Sequence, residues 1–135
     1  MKKTPLLNSQ LSAIIAQMGH MDELTVGDAG LPIPNGPERI DLAITRGLPA
    51  LLPSLAAILT ELQVESVIIA EECQAVSPDF LAQLLALIAA QDNTIAVIYM
   101  GHADFKAQTA HSRAIVRTGE CTPYANIILK SGVAF

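Results

Sequence analysis

The sequence predicts an α/β fold, a three-layer α/β/α arrangement around a mostly parallel sheet of about six strands. Two observations carry that expectation. Apolar stretches with helical spacing alternate along the chain with short β-rich runs, the order from which parallel sheets with crossover helices are built. Two of those runs, Glu65 to Ala70 and Thr94 to Tyr99, are apolar without regular alternation, the pattern of strands covered on both faces. The chain of 135 residues is read as one domain spanning 1–135, with no linker, repeat or low-complexity segment.

Each element has its own local reason. Asn8 or Ser9 caps a first helix whose apolar residues Leu11, Ile14, Ile15 and Met18 fall on one side, and Gly19 stops it. Leu24-Thr25-Val26 is a short strand ending at Gly27-Asp28. Leu31 to Pro37 holds three prolines and a glycine and is therefore irregular. Arg39 to Ile44 alternates polar with apolar and forms a second strand. Pro53 starts a helix running to Leu62, and the Glu65–Ala70 strand follows. A third helix begins near Ser77-Pro78 and carries Leu81, Leu84, Leu85 and Ile88. After the Thr94–Tyr99 strand come a short helix over Asp104 to Ser112 and strands near Ala114–Val116 and Ile127–Leu129.

Composition narrows the function classes. Hydrophobic residues make up 51% and charged residues 16%, more apolar than an ordinary soluble domain. The longest uninterrupted apolar run, Leu84 to Ala90, is far too short to span a bilayer, so no membrane partner is expected. The excess is read instead as surface buried between copies of the chain. A net charge of −5, no basic cluster beyond Lys2-Lys3 and no Trp argue against nucleic acid. The start at Met1-Lys2-Lys3 lacks the apolar core of a signal peptide, and two cysteines make no disulfide framework; both readings point to the cytoplasm.

The residues able to carry chemistry fall in two blocks. In Gly19 to Pro34, His20 stands at a helix end and Asp28 at a strand end. An imidazole and a carboxylate meeting on one rim would form a proton-handling pair, and the strand between them is expected to bring them there. A histidine at a helix end is also commonly a cap, and Asp before Ala-Gly commonly bonds only local amides. In Gly119 to Asn126, the polar tips of Tyr124 and Asn126 suit sugar hydroxyls, and residues two apart on a strand face the same way. His102 follows the strand ending at Tyr99-Met100, and Lys106 shares its helix face if the helix begins early. A solvated surface lysine is the equal alternative for Lys106. His111 reads as an exposed helix end, and Glu71-Glu72 as a strand-end turn with one solvated carboxylate. Three histidines without HxH or HExxH spacing make no metal site, and no glycine-rich phosphate loop points to a nucleotide, so no cofactor is expected. In open α/β sheets ligands sit beyond the carboxyl ends of the strands, where both Asp28 and His102 fall.

Gly19-His20-x-Asp22, Asp28-Ala29-Gly30-Leu31-Pro32-Ile33-Pro34, Ile69-Ala70-Glu71-Glu72 and Gly119 through Leu129 occur here in an order and spacing that resemble the D-ribose pyranase family, over essentially the whole chain. Its fucose-mutarotase relatives typically carry Ala-Asn-Phe-Pro after the aspartate, where this chain has Ala29-Gly30-Leu31-Pro32. Position 21 departs from the family pattern, with Met in place of a small residue, and the segment before Thr94 is short. The resemblance implies an isomerase interconverting the β-pyranose and β-furanose forms of D-ribose. His20 would be the catalytic acid. Asp28, His102, Lys106, Tyr124 and Asn126 would bind the sugar, with Asp28 either orienting His20 or serving as base. It further implies a homo-oligomeric ring, a pentamer or a stacked decamer, with the site at a subunit boundary. A mutarotase for another sugar such as L-fucose, or a ribose-binding accessory protein without turnover, are the alternatives.

Overall fold

The computed structural model describes residues 1–135. Six strands form one sheet: β1 (Glu23–Gly27), β2 (Glu38–Asp41), β3 (Val64–Ala70), β4 (Ala96–Met100), β5 (Ala114–Arg117) and β6 (Ile127–Ser131). Their order across the sheet is β2-β5-β1-β6-β3-β4. Only β6 runs against the others, wedged between β1 and β3, so the start of β6 lies at the carboxyl end of its neighbours, with Val26 opposite Ile127.

The helices are α1 (Ser9–Gln17), α2 (Leu51–Leu59), α3 (Glu72–Val76), α4 (Pro78–Gln91) and α5 (His102–Gln108), followed by one 3₁₀ turn, Thr109–His111. Successive strand residues face opposite sides of the sheet, which divides the core in two. On one side Leu24, Val26, Val67, Ile69, Val116, Ile127 and Leu129 pack beneath α1, α2 and α4 in a cluster of 25 buried residues. On the other, Ile68, Ile115 and Ile128 meet Phe105 of α5 and Leu31 of the loop after β1, a cluster of five buried residues with the half-buried Ile33 and Met100 against it. The three layers are therefore unequal, and the thin side stays open toward β4.

The expected elements are present with three instructive differences. The Thr94–Tyr99 run is not covered on both faces: β4 is the sheet edge, and Val97 and Ile98 are exposed at 37% and 43%. Apolar content alone cannot distinguish a central strand from an exposed apolar edge. Helix α2 starts at Leu51, two residues before Pro53, because its first amide is capped from far away: Leu51 N–H donates to the Glu120 carboxylate at 3.0 Å. Helix α3 occupies Glu72–Val76, where only a turn was expected. At α1 the expected cap holds, with Leu11 N–H donating to Asn8 Oδ1 at 2.9 Å.

Candidate active site

Local bonding at the carboxyl end of the sheet draws together residues distant in sequence. Gly27 ends β1, and Asp28 follows it into the loop. The Asp28 amide donates to Asn126 Oδ1 at 2.8 Å, Asn126 Nδ2 donates to Asp28 Oδ2 at 3.0 Å, and Gly30 N–H donates to Asp28 Oδ1 at 2.9 Å. Both ends of the Asn126 amide are thus committed to Asp28, and Asn126 itself is 1% exposed. Arg117, at the end of β5, steadies the same loop: its Nε donates to Ala29 O at 3.0 Å while its guanidinium pairs with Asp41 at 3.0 Å. Asp41 is held below the ordinary carboxylate range by the Ala43 backbone N–H, by Arg117 and by Arg39, against a smaller opposing effect of burial.

His102 opens α5 immediately after β4. Its ring stands edge-on to Tyr124, centroids 5.0 Å apart, and lies nearly parallel to Phe105 at 6.2 Å. Its Nδ1 is buried without a hydrogen-bond partner in the protomer. The His102 amide donates to both oxygens of Glu72, at 3.1 and 3.0 Å, and this bond, ahead of the others, lowers the Glu72 carboxyl below its usual range. Lys106 lies one turn along α5, exposed and on the same face as His102, since the helix begins at 102. Tyr124 adopts a left-handed backbone, φ 60°, and both it and Asn126 precede β6, so the same-strand argument for pairing them fails. A bent turn brings them to this end of the sheet instead.

His20 is placed elsewhere. It precedes β1, whereas Asp28 follows it, and a five-residue strand holds the two ends roughly 16 Å apart. The expectation that the strand would carry both side chains to one rim is overturned within the protomer: a strand separates its flanking residues rather than joining them. His20 is half exposed and pairs with Glu65, Nε2 to Oε2 2.9 Å. It borders a shallow depression of about 300 Å³ with Met18, Gln63 and the C-terminal residues Gly132 to Phe135.

The family described as the RbsD / FucU transport protein family matches residues 1–134. The chain belongs to that family. A D-ribose pyranase from Aliivibrio fischeri is 54% identical over 139 residues, and one from Serratia proteamaculans is 52% identical over 139, each match covering 100% of both chains. The structure of Bacillus subtilis RbsD complexed with D-ribose superposes with a TM-score of 0.93 at 42% identity, covering 100% of both chains. A fucose mutarotase from Streptococcus pneumoniae, solved in complex with L-fucose, matches with a TM-score of 0.79 at 26% identity over 100% of both chains.

Two carboxylates of this family member escaped sequence reasoning. Of the Glu71-Glu72 pair, expected as a strand-end turn with one solvated carboxylate, Glu71 is the exposed one, and Glu72 caps the backbone of α5. Glu120 links the two site blocks: its backbone oxygen accepts from Ala29 N–H at 2.8 Å, and its carboxylate accepts from Leu51 N–H and from Thr122 Oγ1. Burial works to raise the Glu120 carboxyl, but bonds from Leu51, Thr122 and Cys121 outweigh it and hold the group below the ordinary value of 4.5. A carboxyl lowered in the folded state adds stability that is complete above its unfolded value and is lost as pH falls through the folded one. Glu120→Gln removes that titration. The melting-temperature gap between wild type and Glu120→Gln is expected to be constant above about pH 5 and to narrow below it, as read by thermal scans in an acid pH series.

Proposed function

We propose that this chain is a D-ribose pyranase. The observation that carries the reading is the match, end to end, to a ribose-bound relative at a TM-score of 0.93 and 42% identity. Beside it stands a cluster of sugar-compatible side chains at the carboxyl end of the sheet. Converting ribopyranose to ribofuranose opens a hemiacetal and recloses it through the C4 hydroxyl in place of the C5 hydroxyl. A base takes the anomeric proton while an acid protonates the ring oxygen, and positioned groups for each contribute about 10²–10⁴ in rate. His20 is the acid. Asp28, oriented by Asn126 and the Gly30 amide, accepts from the sugar at the anomeric side. His102, Tyr124 and Lys106 hold the hydroxyls, and Asn126 acts on the sugar through Asp28. A neutral pentose offers no charge to grip, so several hydrogen bonds must share the task.

Since His20 and Asp28 occupy opposite ends of one protomer, the site is completed by a second copy, whose His20 end abuts the carboxyl end of the first. A head-to-tail contact whose rotation closes forms a ring, and we read the assembly as one. The exposed apolar edge at Val97 and Ile98, with no charge or proline to blunt it, supports burial against another copy. We place the protein in the cytoplasm, where an exposed Cys121 thiol and a buried Cys73 thiol stay reduced.

NMR saturation transfer between the β-pyranose and β-furanose signals of D-ribose tests the reading. The wild-type protein is expected to exchange them faster than buffer does, with a smaller effect on the anomers of L-fucose. Faster exchange of fucose than of ribose would favour the mutarotase alternative. Ribose binding without accelerated exchange would favour a non-catalytic binder.

A further inference from the structure

Glu65 is an exposed acid between two buried neighbours, Val64 and Ser66, at the start of β3. The pairing of β3 with β6 is regular from Ser66 to Ile68 and shifts between Val64 and Ser66. Such an irregularity adds a residue to one strand and re-aims its side chain. Here it turns Glu65 out of the sheet toward His20, and the two side chains meet at 2.9 Å. The partner strand leaves room for this. A Cβ on Gly132 would approach Glu65 Cβ to 3.2 Å and the Glu65 amide nitrogen to 3.5 Å. The turn holding His20 is fixed to the same strand end, with Met21 N–H donating to Ser131 O and Ser131 N–H to Asp22 O, at 2.9 and 2.8 Å. Imidazole and carboxylate are thus both anchored on the end of β6.

Given the reading of His20 as acid, on which this rests, we propose that Glu65 is its positioning residue. By accepting from Nε2–H, Glu65 fixes which nitrogen is presented to the sugar. The protonated imidazole delivers the proton on Nδ1 to the ring oxygen as the C1–O bond breaks. The neutral tautomer left behind keeps its hydrogen on Nε2, still bonded to Glu65, and takes the proton back from the C4 hydroxyl on reclosure. A carboxylate that fixes a histidine's tautomer in this way leaves Asp28 to the sugar alone.

Two measurements on the intact oligomer decide it. Nitrogen-15 spectra recorded at alkaline pH, where the proton to be delivered from Nδ1 has been removed, are expected to show the neutral His20 ring of wild type as the Nε2–H tautomer, and that of Glu65→Ala as a mixture of both. In ribose exchange, Glu65→Ala is expected to lower kcat about 10–100-fold with KM within about twofold, while Glu65→Gln, whose side-chain oxygen still accepts from Nε2–H, recovers most of the rate. Unchanged tautomer and rate in Glu65→Ala would overturn the proposal while leaving the acid reading intact, provided His20→Ala loses exchange in the same assay. If His20→Ala keeps full exchange, the acid reading falls, and the positioning role falls with it.

Discussion

His20→Ala is expected to reduce ribose ring exchange to the rate in buffer, a loss of about 10²–10⁴ if one positioned acid is removed. The side chain is 51% exposed and its hydrogen bond is to the exposed Glu65, so the variant should fold with stability within about 0.5 kcal/mol of wild type. The sharper result comes from mixing. Asp28→Asn removes an oxygen acceptor at the other end of the protomer and should also be inactive. With the proposed head-to-tail ring, unfolding the two variants together in equal amounts and refolding them is expected to produce mixed rings. In a head-to-tail ring, a boundary that joins His20 of an Asp28→Asn subunit to Asp28 of a His20→Ala subunit is intact. Random mixing makes about one boundary in four of that kind, so roughly a quarter of wild-type exchange should return. If the two groups served one site within a single protomer, no combination of the two variants would restore any. The same experiment therefore tests both the acid and the boundary, and a mixture as dead as its parts would remove the boundary from the mechanism.

The order of elements was legible because each carries its signal locally. The spacing of Leu11, Ile14 and Ile15, the β-branched run at Val67–Ile69 and the proline at position 78 act within a few residues. What escaped the sequence depends on partners far along the chain. Glu120 caps a helix that begins at Leu51, and Glu72 caps one that begins at His102; neither spacing leaves a pattern. β4 is an edge because no strand of the chain pairs on its far side, and its residues would read the same in a central strand. For the candidate site, Asp28 and His102 both follow the carboxyl ends of strands, where a general property of parallel sheets leads ligands to sit. His20 and Asp28 do not meet within one protomer, because the strand between them holds its two ends apart. Glu65 was overlooked for the converse reason: 45 residues separate it from His20, and only a shift in strand register brings them together.

Gly119→Ala should have the largest effect on the fold of any single-methyl change near the site. Gly119 lies against the turn from Thr45 to Leu48. Its amide donates to Pro49 O at 2.8 Å, and its oxygen accepts from Gly47 N–H at 2.6 Å. A Cβ there would stand 2.5 Å from Thr45 O and 2.7 Å from both the nitrogen and the oxygen of Leu48. All three are backbone atoms of a turn that is itself held on both sides, so no side chain can swing away to relieve the overlap. Forcing extra volume into a packed position costs about 1–3 kcal/mol and sometimes more, and three backbone contacts place this case at the upper end. A loss of about 3 kcal/mol corresponds to a fall of roughly 10 °C in Tm for a domain of this size. Activity should suffer as well, because the next residue, Glu120, holds both the Ala29 amide beside Asp28 and the first amide of α2. Gly101→Ala is the matched comparison: a Cβ there meets nothing within 4 Å, and its φ of −57° suits any residue. Calorimetry should find that variant within about 1 kcal/mol of wild type, the range for a change at a helix cap. Equal melting temperatures for Gly119→Ala and Gly101→Ala would mean that the turn yields.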